Sequence, residues 1–201
     1  MGNVVRHPII VDTDALIAVA NTFLWPRVLN ALKLTTTNVC VHELNRHIRE
    51  KSPYAPEGTR EHWVHKGSET AVKPFDDDEN PAFTVVPCVP RPHGNDAGEE
   101  SIRREIEQNP GQYKAAILMD EVGRNAINDV YDSQAVTGRA VAPPYLLYLL
   151  WDTGNCTKKE FCEACSELIR GEGWTGYKAI QAAWEAIPVD CSPFISSELL
   201  P

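Results

Sequence analysis

The sequence predicts an α/β protein, with a central parallel sheet covered by helices on both faces. Three observations carry that expectation. Short strand-like runs alternate with helical stretches, the order that builds parallel strands through helical crossovers. The two clearest strands, "PIIV" (8–11) and "AAILM" (115–119), are apolar at every position, as strands buried on both faces must be. Each run stops at an aspartate, Asp12 and Asp120, and a helical pattern follows at once.

The elements follow in order. After "PIIV" the pattern is helical from Thr13 to about Ala20, with Asp12 at a position where aspartate caps well. "WPRVLNALK" (25–33) reads as a helix opened by Pro26 near its first turn. "LTTT" (34–37) is β-branched and strand-like. "NVCVHELNRHIRE" (38–50) is a helix with Asn38 as its expected cap and Val41, Leu44 and Ile48 as its core stripe. Residues 51–95 are the irregular middle, expected to form a variable insertion or arm. "KSPYAPEGT" is loop there, "REHWVHKGSETAV" helix, and "KPFDDDENPA" an exposed acidic tip. "FTVVPCV" is a strand that its prolines confine to a sheet edge. Order returns with a capped helix at 95–108, the strand 115–119, a helix at 120–131 and a strand "QAVTG" at 134–138. Helices are expected at 142–152, 158–170 and about 177–187, then an extended tail over 188–201. This describes one domain, residues 1–187, plus the tail.

Composition narrows the function. A chain of 201 residues with 43% hydrophobic and 23% charged residues is globular. No apolar run approaches the roughly 20 residues of a membrane helix, and the N-terminus lacks a signal-peptide core, so a cytoplasmic protein is expected. The net charge of −9 argues against a broad basic surface that grips nucleic acid. Lysines number 8 against 11 arginines, a balance compatible with a salt-adapted source. The six cysteines are expected to be reduced and buried. Cys156, Cys162 and Cys165 offer a zinc reading, but Phe161, Cys165, Leu168 and Ile169 form a helical core stripe, and no second Cys-x-x-Cys or His pair stands nearby. Trp63 and Trp151 are expected to be exposed aromatics that support a homodimer.

The chemistry lies in the acids. In a parallel sheet Asp12 and Asp120 emerge at the same carboxyl edge, where such folds place their sites. Glu43 lies off its helix's apolar stripe, on a face with Cys40 and His47. Glu99 follows Asp96 by three residues, a spacing that also fits a capping box, and shares a buried face with Ile102 and Ile106. Four gathered carboxylates repel one another, and divalent cations relieve that repulsion. Mg²⁺ and Mn²⁺ prefer oxygen ligands and assist attack on phosphodiesters. Arg46, Arg49 and Lys51 follow Glu43 and are expected to guide a phosphate backbone; a solvated helix end suited to its dipole is the alternative.

The stretches "IVDTDALIAV", "TTTNVCVHELNRHI", "NDAGEESI" and "ILMDEVGRNAI" resemble the successive motifs of the PIN domain. The likeness is nearest to VapC-type toxin ribonucleases with a "DxGE" third motif, and runs from about residue 8 to 171. It implies a PIN-like fold and an endoribonuclease with an acidic Mg²⁺ or Mn²⁺ pocket built from Asp12, Glu43, Glu99 and Asp120. Thr13 would hydrogen-bond within the site, Asp14 and Asp96 would support it, and Glu121 is an alternate ligand. An RNA substrate, an antitoxin partner and a homodimer are further implications. The chain departs from the pattern where "VTG" is followed by "RAV", and in the length and acidity of 51–95. Two other readings stand beside it. One is a PIN-fold binding or assembly module, which the presence of all four acids weighs against and the net charge of −9 keeps open. The other is a haloacid-dehalogenase-like phosphatase with Asp12 as nucleophile and Asp14 as acid/base; Leu16 and Lys114 fit it poorly.

Overall fold

The computed structural model describes residues 8–75, 83–94, 96–171, 187 and 189–191. Its sheet has five parallel strands: β1 (Ile9–Val11), β2 (Leu34–Thr37), β3 (Phe83–Val86), β4 (Ala115–Ile117) and β5 (Arg139–Val141). Their order across the sheet is β3-β2-β1-β4-β5. The helices are α1 (Thr13–Ala20), α2 (Trp25–Ala31), α3 (Asn38–Glu50), α4 (Arg60–Val72), α5 (Ala97–Gln108), α6 (Glu121–Ser133), α7 (Pro144–Asp152) and α8 (Lys158–Gly171).

The apolar strands behave as their two-residue period requires. Ile9 and Val11 of β1 join Ala115 and Ile117 of β4 in a core shared with α1, α2, α7 and α8. Ile10 and Ala116 point the other way, into a second core with Ile102, Ile106, Ile127 and Tyr131 of α5 and α6. Each fully buried Ile or Leu contributes roughly 1.5–3 kcal/mol, so both faces are needed to hold the central strands. Helix α1 is buried at every position except Asp14, as a helix apolar all round must be.

The structure corrects five expectations. The fifth strand is Arg139–Val141, not 134–138. Helix α6 runs on to Ser133, Gln134 is its C-cap, and Ala135 takes a φ of 53°. Residues 134–138 are therefore spent on the reversal. Asn128 then fixes the strand: its Oδ1 accepts from Ala140 N–H at 2.8 Å and its Nδ2 donates to Ala140 O at 3.5 Å. That amide stands where a sixth strand's peptide would pair. Asn128→Ala is expected to cost about 1–2 kcal/mol, read as a lower midpoint in urea denaturation.

Asn38 is not the cap of α3. Thr37 is, accepting from Cys40 N–H, which leaves the Asn38 side chain to hold Cys88 N–H at 3.0 Å. Asp96 does not form a capping box, because its φ and ψ of −103° and 25° do not aim its side chain at the helix. Trp63 is buried, with α4 packed on α1 and α3 and Asn21 Nδ2 donating to Trp63 O at 3.0 Å. Trp151 is half-buried and stacked on Phe161, so neither ring supplies the exposed aromatic surface expected of a dimer. Cys162 is joined to Cys191, whose Cα lies 5.3 Å away. The return of residues 189–191 beside α8 creates that proximity, which no spacing in the sequence encodes. Cys40, Cys88, Cys156 and Cys165 are free and buried.

Strand β3 lies at the sheet edge, as its prolines require. All of the expected helix at 177–187 but residue 187, all of the tail over 188–201 but residues 189–191, and most of the acidic tip lie outside the described residues. Among the described residues no helix is long and apolar enough to cross a membrane.

Candidate active site

Four elements bring the predicted acids to the carboxyl edge of the sheet. Asp12 directly follows β1 and caps α1: its Oδ1 accepts from Ala15 N–H at 2.6 Å, and its Oδ2 from Met119 N–H at 3.3 Å. The second bond ties the end of β1 to the stretch after β4. Asp120 caps α6 through Oδ2 and Gly123 N–H at 2.8 Å, and is exposed at the rim. Glu43 is buried on α3 and accepts from Thr13 Oγ1 at 2.6 Å, a bond that spans 30 residues of sequence. Glu99 stands in the first turn of α5, facing α6 across a cleft of about 160 Å³ that Asp96 and Gly123 also line.

Two glycines make room for the acids. A Cβ at Gly98 would lie 2.6 Å from Glu43 Oε2, and one at Gly123 would lie 2.5 Å from Glu99 Oε2. Both distances are shorter than carbon–oxygen contact permits, so a methyl group must displace the carboxylate. Gly98→Ala, which suits helical backbone, is expected to leave the fold standing and weaken divalent-ion affinity about tenfold. Calorimetric Mn²⁺ titration of the variant checks this.

The acids act on one another. Burial pushes the Asp12 carboxyl well above the ordinary carboxylate range; Asp14 and then Glu99 add to it, against the two N–H bonds. Asp14 is raised by burial and by Glu43, with Arg60 pulling the other way. Glu99 is pushed up to about 7 by burial first, then by Asp120, Asp96, Asp14 and Glu43. Cys40 lies among these groups. Burial raises its thiol, Thr37 and Thr13 soften the shift, and Asp12 and Glu43 reinforce it.

Sequence reasoning missed one cation here. Arg124 donates through Nη1 to Met119 O at 2.6 Å and Leu118 O at 3.1 Å, bracing the segment that carries Asp120. Its guanidinium is partly desolvated, which lowers its pKa, while Glu121, Asp120, Asp12 and Glu99 support its charge. The signal was available: Arg124 follows Asp120 by four residues, one helical turn. Glu121 is exposed in that first turn. The predicted basic trio divides. Arg46 and Arg49 act on the His42 imidazole, whereas Lys51 is the C-cap of α3, beside His47. Lys114 lies at the amino end of β4, bonded to Thr137 Oγ1 at 2.8 Å. It is therefore at the opposite end of the sheet from Asp12, away from where phosphatase chemistry would need it.

Among the described residues no three His, Cys, Asp or Glu side chains form a ready-made metal cage. The donor set still fits a hard cation. It is all carboxylate and hydroxyl oxygen, and its mutual repulsion is what a divalent charge removes. Mg²⁺ is usually bound by one or two carboxylates, with water and substrate phosphate completing its shell. A larger cavity, about 520 Å³, runs along the outer edge of β5. It borders Arg124 and Arg139 but has no carboxylate among its described lining residues, and so lies outside the acid cleft.

Fold and site together define an α/β protein with acids gathered at the carboxyl ends of a parallel sheet. The chain belongs to the PIN-domain family: the family model of the halobacterial PIN domain matches residues 1–201. PIN domains are generally nucleases and usually use divalent metals. No curated protein and no solved structure matches the chain.

Proposed function

We propose that this PIN domain is a divalent-metal-dependent endoribonuclease that hydrolyses RNA phosphodiesters. The observation that carries the reading is the convergence of Asp12, Glu43, Glu99 and Asp120 from four separate elements. Two of these carboxyls, Asp12 and Glu99, are held above their ordinary pKa by burial and by their acidic neighbours. A fold gains nothing from such repulsion unless the site is used with a cation bound.

Asp12, Glu99 and Asp120 would hold Mg²⁺ or Mn²⁺, and Glu43, fixed by Thr13, would take part through its remaining carboxylate oxygen. The bound ion would lower the pKa of a water and steady charge on the phosphate. The chain's own residues set up the reaction. The Met119 and Ala15 N–H groups orient Asp12, Arg124 braces the backbone before Asp120, and Asp14 adds negative charge behind the cation site. The resemblance extends this reading to the toxin of a toxin–antitoxin pair, which a small antitoxin gene beside this reading frame would support.

A labelled single-stranded RNA incubated with the purified chain tests the proposal. Cleavage is expected with Mn²⁺ or Mg²⁺ and none with EDTA, and Mn²⁺ should raise the melting temperature of the protein. A chain that neither cleaves nor gains stability is instead a binding or assembly module.

A further inference from the structure

A second concavity lies beside the gathered acids. A cavity of about 290 Å³ lies between α3 and residues 91–94, lined by His42, Glu43, Arg46, Arg91 and His93. Glu43, one of the four gathered acids and bonded to Thr13 beside Asp12, lines this cavity, so the cavity adjoins the acidic constellation on its α3 side.

The cavity concentrates cations on a chain whose net charge is −9. Arg46 and Arg91 line it together with His42 and His93, and Arg49 stands three residues beyond Arg46 on α3. The guanidiniums are poorly matched within the protein. Arg49 and Arg91 make no hydrogen bond or ion pair with any described residue. Arg46 reaches Glu50 only at 3.8 Å, and its Nε is enclosed without a hydrogen-bond partner. The one lining carboxylate, Glu43, already accepts from Thr13.

Arg91 is presented by an anchored segment. Cys88 N–H donates to Asn38 Oδ1 at 3.0 Å, and Arg104 Nη1 donates to Pro90 O at 3.1 Å. These bonds fix residues 88–90 to α3 and α5 just before Arg91. Guanidinium groups are planar forks that match phosphate oxygens. Two guanidiniums on one cavity, Arg91 unpaired and Arg46 only loosely paired with Glu50, suit an anion, and an RNA substrate carries one at every nucleotide.

We propose that this cavity binds a backbone phosphate of the RNA strand adjacent to the one being cleaved, with Arg46 and Arg91 as its contacts. The subsite rests on the nuclease reading and assigns the strand a path from the acid cleft past Glu43 toward residues 91–94. It replaces Lys51, which caps the helix elsewhere, with Arg91, which no sequence pattern singled out.

The experiment is binding without cleavage. A short fluorescein-labelled single-stranded RNA is titrated with the full chain in EDTA and followed by anisotropy. Several KCl concentrations are used at which circular dichroism shows a native fold. Arg46→Gln and Arg91→Gln are each expected to weaken binding about threefold or more and to reduce the salt slope by about one. The double variant should reduce it by about two, and Lys159→Gln, on exposed α8 surface, should change neither quantity. Wild-type affinity and slope in the natively folded double variant overturn the subsite while leaving the nuclease reading intact. An equal loss in Lys159→Gln also overturns it, since binding would then follow total charge. A wild-type chain that neither binds this RNA nor cleaves it with Mn²⁺ overturns both readings.

Discussion

Replacing Asp12 by asparagine is expected to lower RNA cleavage at least about a hundredfold while leaving the fold standing. The residue is 4% exposed, and its carboxyl is held above its ordinary pKa by burial and by Asp14 and Glu99. Asparagine keeps the oxygen that caps Ala15 N–H and loses both the acceptor for Met119 N–H and the charge. Removing a buried, repelled charge offsets the lost acceptor, so the metal-free variant should melt at or above the wild-type temperature. The gain in melting temperature from Mn²⁺ should disappear. Asp120→Asn should lose activity similarly with little change in metal-free stability, since Asp120 is exposed and the amide can still cap Gly123 N–H. Single-turnover cleavage and melting curves with and without Mn²⁺ measure both effects. Wild-type cleavage rates in both variants would remove these carboxylates from the active site.

Metal-free stability attributable to Glu99 should decline as pH rises from 4.5 to about 7. A carboxyl whose folded pKa exceeds its unfolded value favours the fold below the unfolded value. That contribution is lost as pH rises through the folded pKa. For Glu99 the window runs from 4.5 to about 7. Glu99 is only partly buried, so solvent screening limits the loss to roughly 1–2 kcal/mol. His42 and His47 are held low by burial and neighbouring cations, and they oppose this slope below about 6.5. Comparing wild type with Glu99→Gln by urea denaturation in EDTA cancels their contribution. The wild-type advantage should shrink with rising pH, and saturating Mn²⁺ should flatten the difference, because the ion competes with protons for the carboxylate. A difference that grows with pH in EDTA would show that Glu99 is not held protonated by its surroundings.

These effects concern residues that the sequence had already marked, and the reason is local. A run such as "PIIVDT" states its own burial through composition, and an acid after a buried strand must emerge at the sheet's carboxyl edge. The repetition of that arrangement at Asp120 made a shared site readable before any packing was known. Glu43 and Glu99 were readable only as helix positions. What places them is contact between segments far apart: Thr13 with Glu43 across 30 residues, and Gly123 beneath Glu99. Arg124 went unread because a cation one turn after an aspartate is common on solvated helices. Only its two bonds to the Leu118 and Met119 carbonyls show its place.

The sequence by itself determined the parallel sheet, its two apolar faces and the strand ends from which Asp12 and Asp120 project. Those features follow from side-chain period and burial within a few residues. The tertiary structure decided the rest. Asn128 set where β5 begins, Thr37 rather than Asn38 capped α3, Trp63 went into the core, and Cys162 met Cys191. It also brought Arg91 and Arg46, two residues far apart along the chain, to one cavity beside Glu43. Each of these depends on which distant surfaces pack together, and that is fixed by the sum of many contacts rather than by any short stretch of chain.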